Sequence, residues 1–136
     1  MLTSRKESTP LHVAAHHNQP DCVKTLVSDS KAPVNATDEQ GRTALYLAAA
    51  AGHAEVVSVL VQHPDCRVNV TDWLWSTALH IAAHEGCAEA VNVIASHPSC
   101  DFSITDCLEH TAVDIARSQG HVDVAALIDA KSKGNG

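Results

Sequence analysis

Ten histidines and five cysteines stand in a chain of 136 residues, and two pairs of them share one pattern: His63-Pro-Asp-Cys66 and His97-Pro-Ser-Cys100. Imidazole and thiolate together suggest zinc, whose ligands must all come within about 2.0–2.3 Å of the ion. The spacing of the two runs argues against that. They are copies of one another in consecutive units, and equivalent residues of packed neighbouring helices stand about 8–10 Å apart. That separation also excludes a Cys66–Cys100 disulfide, whose Cα atoms would have to lie within about 7 Å. Catalysis by a nucleophile finds no support either. No strained nucleophile elbow, paired carboxylates or glycine-rich phosphate loop occurs, and Ser118-Gln-Gly-His121 reads as the end of a helix. The chain is expected to have no catalytic residues, no metal site and no cofactor.

The elements that hold these residues follow from a repeat. Thr9-Pro-Leu-His-Val-Ala-Ala15 recurs as Thr43-Ala-Leu-Tyr-Leu-Ala-Ala49, Thr77-Ala-Leu-His-Ile-Ala-Ala83 and Thr111-Ala-Val-Asp-Ile-Ala-Arg117, each 34 residues after the last. Asn18, Gly52, Gly86 and Gly120 keep the same step, as do Asp38, Asp72 and Asp106. A fixed period of this size marks an array of small units, none able to bury its apolar face alone.

The second copy shows how a unit is built. Thr43 is a helix N-cap, and Leu45, Leu47, Ala48 and Ala49 give a short helix a narrow apolar face. Gly52-His53 ends it. Ala54-Glu55 opens a second helix, with Val56, Val57, Val59, Leu60 and Val61 as its apolar face, and His63-Pro64 stops that one. Arg67 to Asp72 then form an extended arm and turn leading to Thr77. Helices this short are marginal in water, so stacking must hold them. His12 and His80, three residues after their threonines, are placed to bond back to the helix start as in a capping box.

These residues resemble the ankyrin repeat closely. Thr9-Pro10-Leu11-His12-x-Ala14 carries its TPLHxA signature, and Gly-His at Gly52 and Gly120, Glu55-Val56-Val57, Val34-Asn35 and Val68-Asn69 also match. The resemblance covers roughly residues 4–130. It implies an all-α solenoid of four helix-turn-helix units with hairpin-like connecting loops, repeats at about 4–37, 38–71, 72–105 and 106–130, and a flexible tail over 131–136. Several residues depart from the family. The period is 34 rather than 33, with the extra residue near Lys31–Val34, Pro64–Val68 and Pro98–Phe102. The loop-turn glycine survives only as Gly41 and is replaced by Glu7, Trp75 and Glu109. Arg117 and Asp129 are polar where the family is apolar, which suits a terminal capping unit. The first copy is more weakly capped, with Cys22, Val23, Leu26 and Val27 apolar and Lys24 and Thr25 left to seal it or a further unit to precede it.

The resemblance also implies a partner-binding surface. Its fingertips are Glu39, Gln40 and Arg42, then Trp73, Leu74, Trp75 and Ser76, then Cys107, Leu108 and His110. Its concave face comprises His16, His17, Ala50, Ala51, His84, Glu85, Ser118 and Gln119. Trp73-Leu74-Trp75 is the anomaly, because half of the four aromatics Tyr46, Trp73, Trp75 and Phe102 sit on one loop tip that solvent should reach. Exposed aromatic anchors dominate binding energies. Asn35-Ala-Thr37 and Asn69-Val-Thr71 fit the glycosylation sequon. The resemblance instead makes these asparagines loop braces, of a kind that can be hydroxylated in animal ankyrin domains.

Composition narrows the function. The formal charge of −7 argues against a general nucleic-acid binder. No apolar run approaches the roughly 20 residues that cross a bilayer. Arg5, Lys6 and Glu7 interrupt any signal-peptide core, and five cysteines without a CxxC pair fit a reducing compartment. The expectation is a monomeric intracellular protein, cytoplasmic or nuclear, that binds a protein partner as an adaptor or scaffold. Two alternatives stand beside it: a four-repeat inhibitor docking on an enzyme such as a kinase, and a regulatory domain of a larger enzyme or channel.

Overall fold

The computed structural model describes residues 9–29 and 33–134. Among them are eight α-helices and no strand. In order they are α1 (Pro10–His16), α2 (Pro20–Val27), α3 (Ala44–Ala51), α4 (Ala54–Val61), α5 (Ala78–Glu85), α6 (Ala88–Ala95), α7 (Ala112–Ser118) and α8 (Val122–Gly134). Each odd helix starts at a threonine of the repeat. The hydroxyls of Thr9, Thr43, Thr77 and Thr111 accept the N–H three residues on, at 3.1–3.3 Å. Each cap satisfies one of the orphan N–H groups at a helix start and contributes about 1 kcal/mol. At the other end, Asn18, Gly52, Gly86 and Gly120 all adopt left-handed φ.

The helices stack in two layers. One runs α1, α3, α5, α7 and the other α2, α4, α6, α8, each helix packing on its neighbours in the layer and on its own hairpin partner. Alanine makes the first layer thin: Ala15, Ala48, Ala49, Ala82, Ala83 and Ala116 are wholly buried. The second layer supplies bulk through Val56, Val57, Leu60, Val91 and Ile94. No cluster is private to one unit; the core is continuous along the stack.

Histidines tie the layers together. His53 Nε2 meets the His16 carbonyl at 3.0 Å, and His121 Nε2 meets the His84 carbonyl at 3.1 Å. The unit between carries Cys87 instead, its Sγ 3.8 Å from the Gly52 carbonyl. Gly86 is required by its neighbour as well as by its φ of 72°, since a Cβ there would lie 2.6 Å from the His121 ring.

Two expectations need amendment. The chain from 131 is not a tail: α8 continues unbroken to Gly134, and residues 135–136 lie outside the described residues. Arg117 and Asp129, each out of place by itself, form one ion pair at 2.8 Å between α7 and α8. The start of the first repeat, Glu7 and Lys31 also lie outside the described residues.

Candidate partner-binding surface

The histidines and cysteines that invite metal chemistry are spent on structure. In the two His-Pro-x-Cys runs, His63 Nδ1 accepts the Asp65 N–H and His97 Nδ1 accepts the Ser99 N–H, both at 3.0 Å. Burial pushes the Cys66 and Cys100 thiols up to about 11, the Asp101 charge adding to Cys100, so neither favours the thiolate a metal would need. Among the described residues no three His, Cys, Asp or Glu side chains gather closely enough to hold an ion. His12 and His80 complete capping boxes with Thr9 and Thr77, and their Nε2 atoms reach the Arg42 and His110 carbonyls at 2.9 and 3.0 Å. Burial lowers the His80 pKa despite the backbone bonds that work against it. Asn35 and Asn69 span consecutive units: their amides donate to the Asp65 and Ser99 carbonyls at 2.7 Å and accept the N–H groups of Arg67 and Asp101.

Three connecting loops project as fingers, at 38–42, 72–76 and 106–110, here called the second, third and fourth fingers after the units they open. An aspartate heads each one. Its N–H donates to the carbonyl four residues on, at 2.9–3.0 Å, and its Oδ1 accepts the N–H groups two and four residues on. Successive fingers are joined by backbone bonds, Trp73 N–H to the Gln40 carbonyl at 3.1 Å and Cys107 N–H to the Leu74 carbonyl at 2.9 Å. The fingers therefore form one connected edge.

That edge is apolar in its second half. Trp73, Leu74, Trp75 and Leu108 are 68, 61, 63 and 70 % exposed, and Cys107 is exposed as well. Folded monomers seldom present such side chains contiguously without use. Trp73 also leans on the preceding finger, its Cδ1 lying 3.2 Å from where a Cβ on Gly41 would stand. Trp75 holds φ at 64° in the place that Gly41 fills at 81°. Ser76 is half-buried, Glu39 and Gln40 are exposed, and Arg42 pairs with Asp38 at 2.9 Å.

Behind the fingers, grooves run between successive odd helices. One of about 280 Å³ lies between α5 and α7, with Ile81, Leu108 and Ile115 as apolar walls and Ser76, His84 and Gln119 among its polar lining. Another, about 200 Å³, is lined by His12, Val13, His16, His17, Arg42 and Leu47. His16, His17, His84, Glu85 and Ala51 are exposed, Ala50 and Ser76 are half-buried, and His110 is exposed beside the larger groove. The expected surface is thus dispersed: His16, His17 and Arg42 line one groove, Ser76, His84, Leu108 and His110 another, and Ala50, Ala51 and Glu85 line neither.

A larger groove, about 570 Å³, lies elsewhere, on the outer face of the first unit, with Val13, Cys22 and Leu26 in its lining. Cys22 and Leu26 are the counterparts of Val56 and Leu60, both fully buried in the stack. Among the described residues that face is open, and Thr25 lines it.

Sequence reasoning missed one residue. Tyr46 takes the place held by His12 and His80 in the flanking units. Burial, then a hydrogen bond to the Asp72 carboxyl, pushes its hydroxyl well above the ordinary phenol range. Tyr46 thus stands near the aspartate that heads the tryptophan finger. The signal was present, since a tyrosine broke a repeated histidine.

Stacked helix pairs with projecting fingers define a repeat solenoid. A family model described as ankyrin repeats, in three copies, matches residues 1–72, and a second described as an ankyrin repeat matches 75–107. The chain belongs to the ankyrin repeat family. That family is a non-catalytic protein-interaction fold. No curated protein matches the chain. No helix among the described residues is long and apolar enough to cross a membrane.

Proposed function

We propose that this chain is an adaptor or scaffold module that recognises a protein segment through its third and fourth fingers and the groove between α5 and α7. The contiguous exposure of Trp73, Leu74, Trp75 and Leu108 carries this reading. A prestacked surface loses little freedom on binding, so its aromatic anchors convert to affinity efficiently. Five free thiols accord with a reducing, intracellular setting, and the charge of −7 disfavours nucleic acid. Inhibition of an enzyme such as a kinase would use the same edge.

A pull-down from cell extract followed by calorimetry with the captured partner tests the reading. Trp73→Ala should weaken binding by at least about 2 kcal/mol while leaving the melting curve intact. If Trp73→Ala instead destabilises the fold and spares affinity, the ring is a loop brace, and the binding face should be sought from His16 to Gln119.

A further inference from the structure

Charge singles out the half of the molecule that carries the tryptophans. From 68 to 116 the chain holds no lysine or arginine, while Asp72, Glu85, Glu89, Asp101, Asp106, Glu109 and Asp114 fall in that span. Three of these carboxylates lie on the elements that form the proposed binding edge. Glu109 is exposed at the tip of the fourth finger, Glu85 is exposed at the end of α5, and Asp114 is exposed in the first turn of α7. The guanidiniums nearest along the chain have carboxylate partners, Arg42 with Asp38 at 2.9 Å and Arg117 with Asp129 at 2.8 Å, though Arg117 and His110 also act on Asp114, whose carboxylate accepts the Thr111 N–H. Three imidazoles line the groove, His80, His84 and His110; His80 is buried and spent on its cap, and His84 meets Glu85 at 3.1 Å.

Resting on the recognition reading above, we propose that the segment this edge takes is basic, with arginine or lysine flanking one apolar anchor. The anchor enters the groove of about 280 Å³ between Ile81, Leu108 and Ile115, which suits one medium aliphatic side chain. The flanking cations meet Glu85, Glu109 and Asp114, and a guanidinium lies over the exposed ring of Trp73 or Trp75. Arginine suits that place better than lysine, because its planar, weakly hydrated head stacks on an indole and bonds a carboxylate with two N–H groups. An acidic segment would meet net like charge at this edge and be rejected.

Panning a displayed library of random short peptides on the whole chain tests this, followed by polarisation titrations with an enriched peptide and with its Arg/Lys-to-Gln counterpart. Enriched sequences should be net positive around a Leu, Ile or Met. Their affinity should fall at least about fivefold between about 50 and about 300 mM salt, as exposed charge pairs are screened. The double variant Glu85→Lys, Glu109→Lys should weaken binding about tenfold or more with an unchanged melt, and the Gln counterpart should lose affinity alike. Acidic or uncharged peptides that still depend on Trp73 would overturn the charge assignment and leave the recognition reading standing. Absence of enrichment, or peptides indifferent to Trp73→Ala, would overturn the recognition reading and this inference with it.

Discussion

The second and third fingers have the same backbone and opposite side chains. In each, an aspartate N–H reaches the carbonyl four residues on at 2.9 Å, and Oδ1 takes two N–H groups. The second finger then adds every stabilising device available. Gly41 occupies the left-handed turn place, and Arg42 Nε bonds Asp38 Oδ2 at 2.9 Å. The third gives these up. Trp75 takes the left-handed place, which costs a residue bearing a Cβ about 1–2 kcal/mol, and Ser76 replaces the arginine. The frame therefore fixes the finger's shape, and what is mounted on it answers to another demand. Glu109 holds the same φ of 64° in the equivalent place, so the strain belongs to the position.

The largest effect should come from removing the platform under both fingers. Leu79→Ala should cost about 2–5 kcal/mol in denaturant unfolding, as a buried core leucine does. A loss below about 0.5 kcal/mol would mean the fingers do not rest on a shared core.

Next is the aspartate frame of the second finger. Burial works to raise the Asp38 carboxyl, but the N–H groups of Arg42 and Gln40 and the Arg42 guanidinium together hold it below its ordinary value. A depressed carboxyl contributes stability that is complete above its unfolded pKa of about 3.9 and is lost as pH falls through the folded value. Asp38→Asn should cost about 1–3 kcal/mol at neutral pH. Unfolding curves of parent and variant should converge as pH drops below about 4. A gap that persists in acid would remove the carboxylate from the account.

The turn residues should respond with opposite signs. Trp75→Gly should stabilise by about 1 kcal/mol, the relief of left-handed strain less the added freedom of the unfolded glycine. Gly41→Ala should destabilise by about 1 kcal/mol, aggravated because its Cβ would lie 3.2 Å from Asp72 Cα. Thermal melts of the two variants decide it, and equal signs would end the comparison. The smallest effect belongs to Leu108→Ala, which should change stability by less than about 0.5 kcal/mol.

Nearly all of the fold was legible in the sequence, because its determinants are local. A threonine cap, a left-handed residue and a His-Pro stop act within a few residues, and each was written several times. Trp75 and Glu109 could be placed in a left-handed turn because Gly41 occupies the same register, and both show φ of 64°. What stayed hidden were pairs joined across elements. Arg117 and Asp129 read as two separate departures until α7 and α8 brought them to 2.8 Å. The bond from Tyr46 to Asp72 joins residues of neighbouring units, and a single sequence holds no sign of such a partnership. The dispersal of the expected surface likewise depends on side-chain packing.

The joint at Gly86 bears on how such a gene can be rearranged. His121 fills the space beside that glycine and holds the carbonyl of His84, whereas the joint one unit earlier closes on a thiol 3.7 Å from the Cβ position of Gly52. A duplication that placed a second copy of unit three after the first would set a thiol over Gly86 and leave the His84 carbonyl without its imidazole. Units here are keyed to their successors, so shuffling them by recombination carries a penalty at the seam even when every helix is kept.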